Sequence, residues 1–288
     1  YEDADGGIWM AARDGALNRF DPRTRRFKRF PADPDSAALP ATDRIFAMEG
    51  DGKGRIWMGS MDGIEIYDMV TGTFSSLRND PTNPYSLPQG SIRALVFDHA
   101  GRMWVSAWGN GISYRDPVTG LFHHFRHRPD DTTSLSGNVA LCIFEDSKER
   151  IWVGTSSGLN LLNADTGECL WFTERDGLPN NTIYGIQEDD AGRLWFSTNY
   201  GLAQFDPDSG VIQSYTAREG IQDNEFNMGA YHTGRSGKMY FGGIRGFTAF
   251  YPDSIRHNPY VPAVVLTDFR IFNRPVRPGP DADGRVIM

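Results

Sequence analysis

An aromatic residue returns along this chain at a nearly constant interval, and that return limits the fold more than any other feature. Tryptophan stands at Trp9, Trp57, Trp104, Trp152 and Trp195, and Tyr240 takes the sixth place, at spacings of 48, 47, 48, 43 and 45 residues. Two residues beyond each aromatic comes a small one: Ala11, Gly59, Ser106, Gly154, Ser197 and Gly242. Six beyond it comes Gly15, Gly63, Gly158, Gly201 or Gly246, while the third copy reaches Gly111 one residue late. A fixed period of about 45 residues means that each copy is one supersecondary unit, and that neighbouring units bury each other's apolar faces.

Inside a period the chain reads as four short strands. In the fourth copy these are "NVALCIFE" (138–145), "RIWVGT" (150–155), "GLNLL" (158–162) and "ECLWF" (168–172), separated by Asp, Gly, Asn and Ser. Such apolar runs between turn-forming residues predict antiparallel hairpins. Four strands per repeat are the mark of a β-propeller blade. The small residue then admits the neighbouring blade, and the aromatic fills the space between blades. The expected fold is therefore all-β, a propeller of four-stranded blades over residues 1–256, with six repeats visible and room for a seventh.

The first copy lacks its opening strand, so the chain reads as beginning inside a blade, without an initiating methionine. Beyond the sixth copy the pattern gives way to proline. Residues 257–288 read as an exit linker and the start of a different module, with one strand over 263–272.

Composition excludes some function classes. The chain has 288 residues, 39% of them hydrophobic, and a net charge of −8. No apolar run is long enough to span a membrane. The negative charge argues against a nucleic-acid partner. The one basic run, "RFDPRTRRFKRF" (19–30), reads as a solvated outer strand protected by its charges, with an anion or partner contact as the alternative.

The copies resemble two-component regulator propeller repeats. The resemblance rests on the blade phrase "GRIWMGSMDGIEIYD" and on linkers such as "RNDPTNPYSLPQGSIRALVFD" (78–98) and "RHRPDDTTSLSGNVALCIFED" (126–146). It extends to the ending: "PAVVLTDFRIFNRPV" is similar to the start of the triple-tyrosine domain, a β-sandwich-like module, that follows such propellers. The resemblance implies a periplasmic sensor region of a hybrid histidine kinase or related regulator. Its output domain would lie on sequence not included in these 288 residues, and in the full-length protein a homodimer partner or a second propeller would contact it.

A search for chemistry returns little. His123 and His124 fall on an outer strand facing opposite sides, and His123 and His127 would stand about 13 Å apart, too far to share a zinc ion. Cys142 and Cys169 fall on the first and last strands of one blade, separated by about 14 Å, beyond disulfide reach. The Asp-x-x-Gly segments, such as Asp51 to Gly54, read as tight hairpin turns. A propeller lyase would need a histidine and an acid near the axis, and His232 is the one histidine placed near the end of an innermost strand. No catalytic residue, metal site or cofactor is therefore predicted, and the fragment reads as non-catalytic.

What varies is the set of hairpin tips between the second and third strands: "ARDG", "SMDG", "AWGNG", "TSSG", "TNYG" and "GIRG". Variable tips on a constant frame are where a rigid scaffold carries recognition. Arg13, Asp62, Trp108, Asn110, Ser156, Tyr200 and Arg245 are the candidates for binding an unidentified small molecule or oligosaccharide. Asn181, Asn224, Glu225 and Asn227 in the linkers should lie near the same face. The alternative is a scaffold that mediates dimerisation or protein interaction.

Overall fold

The computed structural model describes residues 1–12, 16–31 and 44–255, together with four two-residue strand pieces beyond them. It is a six-bladed propeller. The first blade holds β1 (Ile8–Ala12), β2 (Ala16–Asp21) and β3 (Arg26–Phe30). The second holds β4 (Ile45–Gly50), β5 (Arg55–Ser60), β6 (Ile64–Asp68) and β7 (Thr73–Leu77). The third holds β8 (Ile92–Phe97), β9 (Met103–Ala107), β10 (Ile112–Arg115) and β11 (Phe122–Phe125).

The fourth blade holds β12 (Ala140–Glu145), β13 (Ile151–Thr155), β14 (Gly158–Leu162) and β15 (Cys169–Phe172). The fifth holds β16 (Ile183–Glu188), β17 (Leu194–Thr198), β18 (Gly201–Phe205) and β19 (Ile212–Tyr215). The sixth holds β20 (Phe226–Thr233), β21 (Met239–Gly243) and β22 (Gly246–Phe250). Every sheet is an antiparallel meander whose strand order follows the sequence.

The two end blades have three strands each. The first lacks an innermost strand, as expected, but its stub is present: Tyr1 and Trp9 exchange two backbone hydrogen bonds, of 3.1 and 2.7 Å. Arg235 of the sixth blade donates to Glu2 at 2.6 Å, joining the last blade to the first. Among the described residues there is no seventh blade. The chain divides into two compact units, Tyr1–Pro252 and Asp253–Met288. In the second unit Arg270–Ile271 pairs with Arg274–Pro275, and Gly279–Pro280 with Val286–Ile287. Apart from Arg270–Ile271, the strand expected over 263–272 lies outside the described residues.

The repeated residues build the frame in three ways. First, the tryptophans are buried between blades: Trp9 packs on Tyr67, Trp57 on Phe97, Trp152 on Phe205 and Trp195 on Phe250, with ring centroids 4.8–5.9 Å apart. Second, the small residue admits the next blade. A Cβ on Gly59 would stand 2.8 Å from Ile92, and one on Gly154 would meet both Cys142 and Ile183. Third, the later glycine adopts positive φ, +142° at Gly158 and +97° at Gly201, beside a carbonyl of the outer strand. A side chain there would be strained and would also strike that oxygen.

A fourth device was not visible from the spacing alone. An aspartate stands six residues before each tryptophan: Asp3, Asp51, Asp98, Asp146 and Asp189. Its Oδ2 accepts the indole N–H at 2.7–2.8 Å in four blades, and at 3.3 Å in the second. In three blades the same oxygen accepts the Nε–H of Arg102, Arg150 or Arg193 at 2.6–2.8 Å, and in the first blade that of Arg19 from β2. The other oxygen takes backbone N–H groups of the turn, including Gly7, Arg102, Arg150 and Arg193. Asp98 and Asp146 have fully buried side chains. Asp51, Asp98 and Asp189 are turn formers by sequence, and all five acids are the acceptors that let the indoles be buried.

Adjacent blades are latched at their inner ends. Glu145 accepts the backbone N–H of His99, at 2.8 Å, and its ring Nδ1. Glu188 accepts the backbone N–H and hydroxyl of Ser147 in the same manner. The Glu145 contact raises the pKa of His99 above the ordinary imidazole value, whereas burial lowers that of His124. The His99 latch contributes fully below the unfolded imidazole pKa and is lost as pH rises through the higher folded one. NMR titration should place His99 above 6.5 and His124 below it, with Glu145→Gln returning His99 to the ordinary value.

The small-residue column makes a second prediction. Gly154→Ala drives a methyl against Sγ of Cys142 and the side chain of Ile183, and should cost about 1–3 kcal/mol in urea unfolding. At the equivalent position of the fifth blade the buried Oγ of Ser197 has no hydrogen-bond partner among the described residues. Ser197→Ala removes only that orphan group, so it should be neutral or stabilising. An equal loss in both variants would contradict the interblade role of the column.

Candidate functional site

The hairpin tips stand where the repeat placed them, held to the inner strands by backbone hydrogen bonds. Met61 donates to Arg44, Trp108 to Ser91 and Ser156 to Val139, at 2.9–3.1 Å. The face they form is shaped by an irregularity in the innermost strands. In β4, β8, β12 and β16 the register slips between Ile45 and Ala47, Ile92 and Ala94, Ala140 and Cys142, and Ile183 and Gly185. The residues left unpaired are Phe46, Arg93, Leu141 and Tyr184. A bulge of this kind inserts one residue and re-aims its side chain.

Two of the four reach a tip. The Arg93 guanidinium lies 3.8 Å from the centroid of Phe46 and 5.1 Å from that of Trp108. Its Nε donates to Ser91 Oγ at 3.0 Å. No carboxylate among the described residues pairs with it, and burial lowers its pKa. The Tyr184 hydroxyl donates to Asn199 Oδ1 at 3.3 Å. Its pKa is raised, first by burial and then by the charge of Glu225.

Trp108 and Phe46 remain 46% and 39% exposed although both touch the guanidinium. Together with Arg93 they form an aromatic and cationic patch at the junction of the second and third blades. The one-residue insertion that delays Gly111 belongs to the tip that carries Trp108.

The other predicted tip residues fare differently. Tyr200 is 53% exposed, and Asp62 and Ser156 are exposed as well. Asn110 is turned inward: its Nδ2 donates to the linker carbonyl of Gln89 at 2.9 Å. Arg245 is exposed but lies 3.6 Å from Asp223 on its own linker. Arg13 lies outside the described residues.

Asn181 and Asn224 serve the linkers themselves. Their side-chain oxygens accept the N–H of Glu174 and Ala217, closing two 3-10 turns, Glu174–Asp176 and Ala217–Glu219. Thr173 and Thr216 cap these turns, and Gly177 and Gly220 end them at positive φ. Asn227 and Glu225 are exposed at the start of the sixth blade.

Other concavities are lined by polar groups already committed to the fold. Arg102 and Arg150, on the flank between the third and fourth blades, are bound to Asp98 and Asp146. On the groove beside linker 79–89, His124 bridges Ser113 and the carbonyl of Pro84. His123 stacks on Tyr114 and His127 bonds the carbonyl of Leu135, so the three histidines have three different partners. Cys142 and Cys169 are buried free thiols, both pushed up to about 12 by burial.

His232 is exposed and pairs with Tyr240, toward the end of β20 away from the tips. Phe46, Arg93 and Tyr184 were missed by the sequence reading. They stand eleven residues before the aromatic in their copies, so aligning that column would have exposed an arginine among Phe, Leu and Tyr.

Comparison with known proteins agrees with this geometry. The two-component regulator propeller model matches residues 86–109, 134–157 and 177–200, each running from a linker through two strands to a tip. Histidine kinase P4 of Formosa agariphila is 29% identical over 282 residues, which cover 96% of this chain and 20% of that protein. The chain thus spans about a fifth of the curated relative it matches.

A crystal structure described as the extracellular domain of a hybrid two-component system of B. thetaiotaomicron superposes with a TM-score of 0.79 at 24% identity. It covers 100% of this chain and 38% of that one. An inactive virginiamycin B lyase of Staphylococcus aureus, crystallised with quinupristin, has a TM-score of 0.63 at 15% identity, covering 86% and 78% of the two chains. Both likenesses are of fold. From the frame residues and the matched segments together, the chain is a six-bladed propeller, three segments of which match the two-component regulator propeller model.

Proposed function

We propose that this chain is the extracytoplasmic sensor propeller of a two-component-type signalling protein, and that it binds its ligand on the hairpin-tip face without catalysing a reaction. The observation that carries the reading is the exposed indole of Trp108. Every frame tryptophan is buried, and the four best buried give their N–H groups to close aspartates, whereas Trp108 stands on an inserted tip over a re-aimed arginine. Exposed aromatics beside a few polar groups are what a binding face offers a ligand. The repeat family and the histidine kinase relative support placement in a signalling protein outside the cytoplasm. His232, the histidine a lyase reading requires, lies toward the end of β20 away from the tips, which supports a non-catalytic role.

Signalling requires that ligand binding favour one of two states of the protein. The exit after the sixth blade leads toward the segment that resembles the start of a triple-tyrosine domain, and is the natural route to an output domain. A second reading, a dimerisation scaffold, is favoured by one observation. Ile244 and Phe247 are 57% and 67% exposed at the end of the last blade, beside a strand that has no outer neighbour among the described residues.

Thermal unfolding against a panel of oligosaccharides and small metabolites tests the first reading. A true ligand at about 100-fold its Kd adds about 2.7 kcal/mol, and Trp108→Ala should abolish the shift. No shift from the panel, with light scattering that detects a dimer disrupted by Phe247→Asp, would favour the scaffold instead.

A further inference from the structure

The frame does not account for Arg93. Of the four bulge residues, Phe46 and Leu141 are apolar and Tyr184 carries only a hydroxyl, so the position itself makes no demand for charge. Arg93 brings a cation to the inner rim, half-buried, where a charge is costly unless something answers it. Within the described residues the answer is incomplete: Nε is bonded to Ser91 and the planar face is covered by Phe46, with Trp108 at greater distance. No carboxylate of the described residues meets the two terminal nitrogens. A guanidinium presents these N–H groups in its own plane, the geometry that takes both oxygens of a carboxylate.

We infer that the tip face recognises an acidic sugar, with the Arg93 guanidinium taking its carboxylate and the Trp108 indole covering an apolar face of a sugar ring. The assignment rests on the loop-face reading and names the chemistry of its ligand. Three features converge on it. The bulge in β8 lifts Arg93 out of the ladder toward the tip, the third tip with its one-residue insertion brings Trp108 to it, and the Phe46 ring of the neighbouring blade packs on the guanidinium. A neutral ligand would leave the terminal nitrogens to water. An anion elsewhere on the surface would meet a chain with a net charge of −8, so specificity for the acid would come from this one cation.

The probe is trigalacturonate, compared with its carboxyl-reduced neutral counterpart, by calorimetry and by quenching of tryptophan fluorescence in the full chain. The acidic trisaccharide should bind at least about tenfold more tightly than the neutral one, and more weakly as salt rises. Arg93→Gln should lower its affinity about 10- to 100-fold, the worth of a hydrogen bond to a charged group, while leaving binding of the neutral sugar unchanged. Arg93→Lys should recover part of the affinity, because it restores the charge without the fork. Trp108→Ala should abolish quenching by both sugars.

Neutral sugar binding as tightly as acidic, lost in Trp108→Ala and intact in Arg93→Gln, would overturn the acidic assignment and preserve the loop-face reading. Trigalacturonate binding unaffected by either variant would overturn both. No binding of trigalacturonate to the parent chain at millimolar concentration would also overturn the assignment, as it needs no variant to fold.

Discussion

A tryptophan can be buried between two blades only if its indole N–H finds an acceptor there. Leaving that donor unpaired costs more than the bond itself would contribute in water. The acceptor chosen here is a carboxylate, which cannot be buried alone either. The arginine and the turn N–H groups complete the set, so each partner removes the penalty of another. At Asp3 burial pushes the carboxyl up, but the bonds from Arg19, Trp9 and Gly7 outweigh it and hold the pKa below the ordinary value.

The sixth copy supplies the control. Where Tyr240 replaces tryptophan, the residue six before it is Gly234, and Lys238 lies over the Tyr240 ring instead. Loss of the indole donor and loss of the acid go together within one chain. The second copy is intermediate. Asp51 keeps a long bond to Trp57, while Arg55 lies toward Asp68, and Trp57 is the least buried of the five repeated tryptophans. Burial of the aromatic thus tracks how completely its aspartate is bonded. A frame satisfied in this way asks nothing of the tips, which are free to differ, and the bulges of β8 and β16 turn Arg93 and Tyr184 toward them.

Much of the architecture could be read in advance because it is written in period and composition. The tryptophan interval, the glycine needing positive φ at Gly158, and the small residue at Gly154 are each tied to one steric demand. Asp189 was read only as half of what it is. The Asp-x-x-Gly turn from Asp189 to Gly192 explains its place without reference to the indole six residues away, and nothing in strand alternation reveals that contact. Arg93 was missed for a different reason. A bulge shifts register by one residue, and a simple alternating pattern cannot tell which face the extra residue takes. Trp108 was legible because an insertion interrupts the repeat, but Asn110 beside it bonds the linker carbonyl of Gln89, since sequence cannot say whether a tip amide turns outward or bonds the chain next to it.

The claim that the indole–carboxylate bond holds the blades is tested most directly by a double-mutant cycle in the fourth blade, with Trp152→Phe, Asp146→Ala and the double variant followed by urea unfolding. If the bond joins them, Asp146→Ala should cost about 1–3 kcal/mol less when Trp152 is already phenylalanine, because no indole donor is then orphaned. Additivity within about 0.5 kcal/mol, the behaviour of independent sites, would contradict the account and reduce the aspartate to a turn residue.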